Sequence, residues 1–158
     1  MLENGFVYIT QERLSEIENE LQQLKGPGRR EIAAKIAEAR AHGDLSENAE
    51  YDAAKAAQSL LELKIAKMGG MLMRVRIVDS SKFAAGEVHI LSIVRIKNVL
   101  TQKESKYTMV SPEEADFASG KLAITSPIGK GLLGKKVGDF IEVIAPAGKQ
   151  SYEILEIS

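Results

Sequence analysis

Two long runs with apolar residues at alternating three- and four-residue steps flank one short polar stretch, and few folds satisfy that pattern. The first run carries Leu14, Ile17, Leu21 and Leu24, then resumes at Ile32, Ala33, Ile36 and Ala39. The second carries Tyr51, Ala54, Gln58, Leu61, Ile65, Met68, Leu72 and Val75, with Gln58 as its polar break. Each seam is a narrow stripe that covers one partner helix, and charged or amide residues fill most other positions. An arm of ~30 residues is ~45 Å long at 1.5 Å per residue, and two such arms joined by a few residues lie antiparallel. The prediction is a coiled-coil hairpin whose tip is Ala41-His42-Gly43-Asp44-Leu45-Ser46-Glu47-Asn48-Ala49-Glu50-Tyr51.

Local signals fit this reading. Phe6-Val7-Tyr8-Ile9 is a short apolar lead-in, Thr10 is placed as an N-cap, and Ile9 and Leu14 have staple spacing. Gly26-Pro27-Gly28 predicts a kink or short break, because Pro removes a helical hydrogen bond. Gly43 ends the first arm, and Asp44 with Glu47 has the spacing of a capping box that opens the second. Gly69-Gly70 weakens the second arm by roughly 1 kcal/mol per Gly relative to Ala.

Near Val78-Asp79 the period changes. Val88, Ile90, Ser92, Val94, Ile96 and Asn98 nearly alternate, as do Lys106, Thr108 and Val110, so both runs read as strands. Pro112-Glu113-Glu114-Ala115-Asp116 opens a short helical turn, and Leu122-Ala123-Ile124 is a further strand. Ser126 to Gly134 reads as a loop entering a short helix. Phe140–Ile144 and Tyr152–Ile157 are strands joined around Pro146-Ala147-Gly148. The expected class is α+β, with a hairpin domain over residues 1–77 and a mixed β domain over 78–158.

A formal net charge of −1 gives no global attraction to nucleic acid or acidic membranes, so electrostatic function has to be local. The absence of Cys excludes disulfides, thiolate metal sites and a Cys nucleophile. His42 and His89 lie far apart, and no nucleophile–base pair is evident. The N-terminus lacks a secretory pattern, and no apolar run approaches the ~20 residues of a membrane span, so a cytosolic protein is expected.

Two readings of Asp44 and Glu47 stand side by side. The plainer one is a helix cap. The other is metal chemistry: two hard carboxylates three residues apart can share a Mg²⁺ that takes its remaining ligands elsewhere. A lone tip holds such an ion weakly, so this second reading requires a partner's active site. Arg29, Arg30, Lys35, Arg40 and Lys55 fit either a solvated helical face with pairs such as Glu31–Lys35 or a patch against a nucleic-acid backbone. The glycines at 129, 131 and 134 lack a P-loop pattern and read as turns.

The run Ile36 to Tyr51 closely resembles the tip motif of the bacterial transcript cleavage factors of the GreA/GreB family. Glu113-Glu114-Ala115-Asp116, then Ser126-Pro127-Ile128-Gly129-Lys130-Gly131-Leu132-Leu133-Gly134-Lys135, then Gly138-Asp139 extend the match over nearly the whole chain. The resemblance implies an antiparallel coiled coil followed by an FKBP-like domain that docks on bacterial RNA polymerase. It implies a monomer that is an accessory factor, not an enzyme, whose tip reaches the polymerase active site through the secondary channel. There Asp44 and Glu47 would act as catalytic acids and Mg²⁺ ligands shared with the polymerase, stimulating cleavage of backtracked RNA. By matching position, Arg40 and Lys55 are candidates for contacting that RNA, and Ser126 and Pro127 for docking on the polymerase. Thr125 stands where relatives often carry Asp or Asn, and Arg30 where the family often has Pro. An alternative within the fold is a secondary-channel regulator that occupies the site without cleavage. A prolyl isomerase, suggested by the FKBP-like domain, would need its aromatics, Phe83, Tyr107, Phe117, Phe140 and Tyr152, to gather in one pocket.

Overall fold

The computed structural model describes residues 5–43 and 48–158. They form two compact units: Gln11–Arg74, and Val75–Ser158 together with the described residues up to Thr10.

In the first unit, helix α1 (Gln11–Gln23) passes through a π turn (Leu24–Gly28) into α2 (Arg29–Ala41), and α3 (Ala49–Leu72) packs back along both. The π turn follows from counting. The inward positions run 17, 21, 24, 28, 32, 36 and 39, one residue more than a regular heptad allows. A single wide turn takes up the extra residue, with Arg29 N–H donating to the Leu24 carbonyl five residues back. That widening also accommodates Pro27, which has no N–H for the regular ladder. The expected interruption is therefore a local widening inside a continuous helix.

Ile17, Leu21, Ile36, Ala39, Ala54 and Ile65 are buried along the seam, while Ala33 is exposed. Ion pairs cross between the arms, among them a two-bond pair of Arg29 with Glu62, 2.9 Å at each bond, and Lys64 with Glu20 at 3.3 Å. The Glu31–Lys35 pair forms at 3.4 Å. Helix α3 runs unbroken through Gly69-Gly70 and stops at Leu72.

Val75 is not the last residue of the helical seam. It opens β2 (Val75–Ile77), which pairs in parallel with β1 (Val7–Ile9) in the register Val7↔Val75 and Ile9↔Ile77. The apolar lead-in is thus a strand. Val7 and Ile9 are buried, and Tyr8 N–H donates to the buried Ser111 Oγ at 2.9 Å.

The remainder of this unit is a five-stranded mixed sheet of order β5-β4-β3-β7-β6. Its strands are β3 (Ile93–Asn98), β4 (Glu104–Val110), β5 (Lys121–Ala123), β6 (Phe140–Ala145) and β7 (Gly148–Ile157). All neighbours are antiparallel except β4 and β5. One face packs Val94, Ile96, Met109, Leu122, Ile141, Val143 and Ile154 around Leu132 of the short helix α4 (Pro127–Leu132). The other face is lined by ion pairs, Arg95 with Glu104 and Glu156, and Lys97 with Glu153. This is the α+β architecture that the sequence predicts.

The alternating run from Val88 is a strand only from Ile93 onward. Leu91 takes a left-handed φ of 71°, and Ser92 folds back so that its Oγ accepts from His89 N–H. Burial still alternates through the turn, which is why periodicity alone does not reveal it.

Candidate functional site

The two arms meet at the tip through a set of polar contacts. Asn48 precedes α3 in an extended conformation (φ −93°, ψ 97°), and its Oδ1 accepts from Tyr51 N–H at 3.1 Å. Asn48 is therefore the N-cap. Its Nδ2 donates across to the carbonyl of Ala39, in the last turn of α2, at 2.6 Å. That carbonyl is one of the four a helix leaves unpaired at its C-terminus, and His42 N–H also reaches it at 3.2 Å. Beside this clamp, His42 Nδ1 lies 2.6 Å from a Glu50 carboxylate oxygen, and the Arg40 guanidinium lies 5.8 Å from the centre of the Tyr51 ring.

Asp44 and Glu47 lie outside the described residues. The capping-box expectation for Asp44 with Glu47 therefore also falls outside them. Helix α3 itself opens at Ala49 behind an Asn48 cap. The Asn48 amide offers an acceptor to α3 and a donor to α2 together, which a carboxylate cannot. Nothing in the periodicity singled out Asn48; the signal was an Asn directly before a helical run.

Arg40 and Lys55 are brought together. They flank one shallow groove of about 420 Å³ between α2 and α3, floored by Ala33, Ile36 and Ala37 and closed by Gln58. Lys55 Nζ donates to Gln58 Oε1 at 2.9 Å, so two of the lining side chains are bonded to each other. Two cations over a small apolar floor suit a phosphate-bearing chain better than an acidic or purely apolar ligand. Arg29 is held elsewhere: its bonds to Glu62 raise its own pKa and hold the Glu62 carboxyl below the usual range.

Ser126 and Pro127 sit at the start of α4. Ser126 Oγ donates to the Ala123 carbonyl at 2.7 Å and accepts from Gly129 N–H at 3.1 Å, with Pro127 in the first turn. Gly129 and Gly131 belong to α4 and are not turn residues, contrary to expectation; Gly134, at φ 78°, is one. The five aromatics of the β unit do not gather in one pocket. Phe83 stacks on His89, Tyr107 leans on Phe117, and Phe117 and Phe140 are exposed. Among the described residues no helix is long and apolar enough to cross a membrane.

Two family models match the chain: "Transcription elongation factor, N-terminal" over residues 7–77 and "Transcription elongation factor, GreA/GreB, C-term" over residues 83–158. Transcription elongation factor GreA of Amoebophilus asiaticus is 54% identical over 151 residues, covering 96% of each chain. That of Flavobacterium johnsoniae is 49% identical with the same coverage. The crystal structure of GreA factor homolog 1 of Thermus thermophilus is 24% identical, with a TM-score of 0.45 over 97% of this chain and 99% of that one.

Proposed function

Since the chain belongs to the GreA/GreB family of transcription elongation factors, we propose that it acts on backtracked bacterial RNA polymerase by supplying Asp44 and Glu47 in trans. In this reading the β unit docks on the polymerase, with Ser126 and Pro127 at the contact. The hairpin tip enters the secondary channel and stimulates the polymerase's own Mg²⁺-dependent cleavage of the RNA 3′ end. The chain is an accessory factor and not itself an enzyme.

The observation that carries this reading is the family match over residues 7–77 and 83–158, with Asp44 and Glu47 standing in the segment between the two arms. Helix α3 has a cap of its own in Asn48. Two carboxylates three residues apart are hard oxygen donors suited to Mg²⁺. In this reading the ion's other ligands come from the polymerase. A Mg²⁺ held there supplies charge neutralisation at the scissile phosphate and an activated water. The chain's own tasks are to present two acids at the tip, to hold the RNA backbone with Arg40 and Lys55, and to keep Ser126 and Pro127 rigid for docking.

The test is RNA cleavage in stalled, backtracked complexes of the cognate polymerase, with wild type, Asp44→Ala and Glu47→Ala, each confirmed to bind. Cleavage should fall by about two orders of magnitude in either variant with binding retained. Wild-type binding without cleavage would replace this reading with a channel-occupying regulator. Cleavage that survives both substitutions would remove the tip acids from the chemistry.

A further inference from the structure

We infer that Asn48 is a positioning residue for the tip acids, an inference that rests on the function proposed above. One side chain bonds to both helices beside the tip, where the His42–Glu50 contact also spans them. Its Oδ1 accepts from Tyr51 N–H of α3, and its Nδ2 donates to the Ala39 carbonyl of α2. The amide orientation is fixed by chemistry: a backbone N–H can only donate and a carbonyl can only accept, so oxygen faces Tyr51 and nitrogen faces Ala39. Asp would set a carboxylate oxygen against the carbonyl, and Ser lacks the second arm. Asn48 follows Glu47 directly, and Ala39 is the buried end of the α2 seam. The clamp therefore fixes the two feet from which residues 43–47 depart, and it ties one proposed acid to both helices through one bonded neighbour. An acid displaced by an ångström loses much of its effect on a reacting centre.

Asn48→Asp and Asn48→Ser separate the two roles, because each keeps an N-cap acceptor and removes the donor to Ala39. Both should melt and bind polymerase close to wild type. At saturating factor they should cleave roughly tenfold or more slowly, and their half-maximal Mg²⁺ concentration should rise severalfold. A folding or affinity defect would not move that Mg²⁺ dependence once factor is saturating. In the free protein, nuclear magnetic resonance should find the Asn48 side-chain amide protons exchanging more slowly than those of the exposed Gln22. Unprotected Asn48 protons would overturn the clamp itself. Wild-type rate and Mg²⁺ dependence in both variants would overturn its positioning role, as would a defect abolished by saturating factor. Asp44→Ala and Glu47→Ala run in parallel keep the two readings distinguishable. If those controls cleave normally, the functional reading fails and this inference falls with it. If they fail to cleave while Asn48→Asp cleaves normally, this inference alone falls.

Discussion

A Cβ built on Gly129 would lie 2.1 Å from the Ala123 carbonyl oxygen and 2.9 Å from Ser126 Oγ. The carbonyl is backbone at the end of β5 and cannot swing aside. Gly129→Ala should therefore destabilise the β unit by about 1–3 kcal/mol, the usual cost of forcing atoms into a filled space. Gly131→Ala is the control, since the nearest atom to its Cβ would be the flexible Ile141 Cδ1 at 3.4 Å, an ordinary contact distance. Thermal melting of the two variants checks this: equal melting would mean that the α4–β5 approach relaxes at no cost. Because Ser126 caps the same helix, Gly129→Ala should also weaken polymerase binding while Gly131→Ala does not. Neither residue's role was legible beforehand. Glycine spacing shows where backbone freedom is available, not which carbonyl comes close, and Ala123 approaches from a different element. Asn48 was hidden for a related reason: its donor finds a carbonyl nine positions back, on the other helix, and no local pattern in the sequence marks that partner.

At the level of elements, the hairpin was legible because a heptad seam is a local, repeating signal. Its one irregularity was legible only as an interruption. The register shows more: one surplus residue lies between Leu21 and Ile36, and the Leu24–Gly28 turn absorbs it. Deleting Pro27 should restore a plain α-helical register, so the variant should keep its helical circular dichroism and melt no lower than wild type. Deleting Ala34 instead leaves the π turn in place and rotates Ile36 and Ala39 by about 100° off the seam, given 3.6 residues per turn. That variant should lose cooperative melting. Similar behaviour of the two deletions would show that the π turn is not a register device. The Arg29–Glu62 pair carries a pH signature on the same element. Its folded-state carboxyl pKa is lowered, chiefly by the Arg29 hydrogen bond. The stabilisation is thus present above the unfolded Glu value of about 4.3 and lost as pH falls through the lower folded value. Glu62→Gln should melt slightly below wild type at neutral pH, and the gap should close in acid. The effect is small because both partners are solvent-exposed. A gap that widens in acid would contradict it.

On the scale of the whole chain, covalent order and packing part company. The chain crosses between its two units twice, at Thr10–Gln11 and at Arg74–Val75, so the β unit is assembled from both ends of the sequence. Parallel β1–β2 pairing joins residues nearly the whole hairpin apart in sequence, and two three-residue strands leave no periodic trace, so periodicity gave no sign of this sheet. Its contacts are nonetheless those of a core. Ile9 is 2% exposed, its carbonyl accepts from Val78 N–H, and Tyr8 N–H reaches Ser111 beyond the end of β4. Ile9→Ala should therefore cost about 2–5 kcal/mol, as large-to-small changes in a core do. The loss should be felt in the C-terminal unit, although the residue precedes the hairpin in sequence. Native-state hydrogen exchange reads this out by element. Amides of β2, β3 and β4 should exchange faster in Ile9→Ala, while those of α2 and α3 keep their wild-type protection. Acceleration confined to α1–α3 would instead mean that Val7–Ile9 belongs energetically with the arm it leads into, and that β1 adds little to the sheet it pairs with.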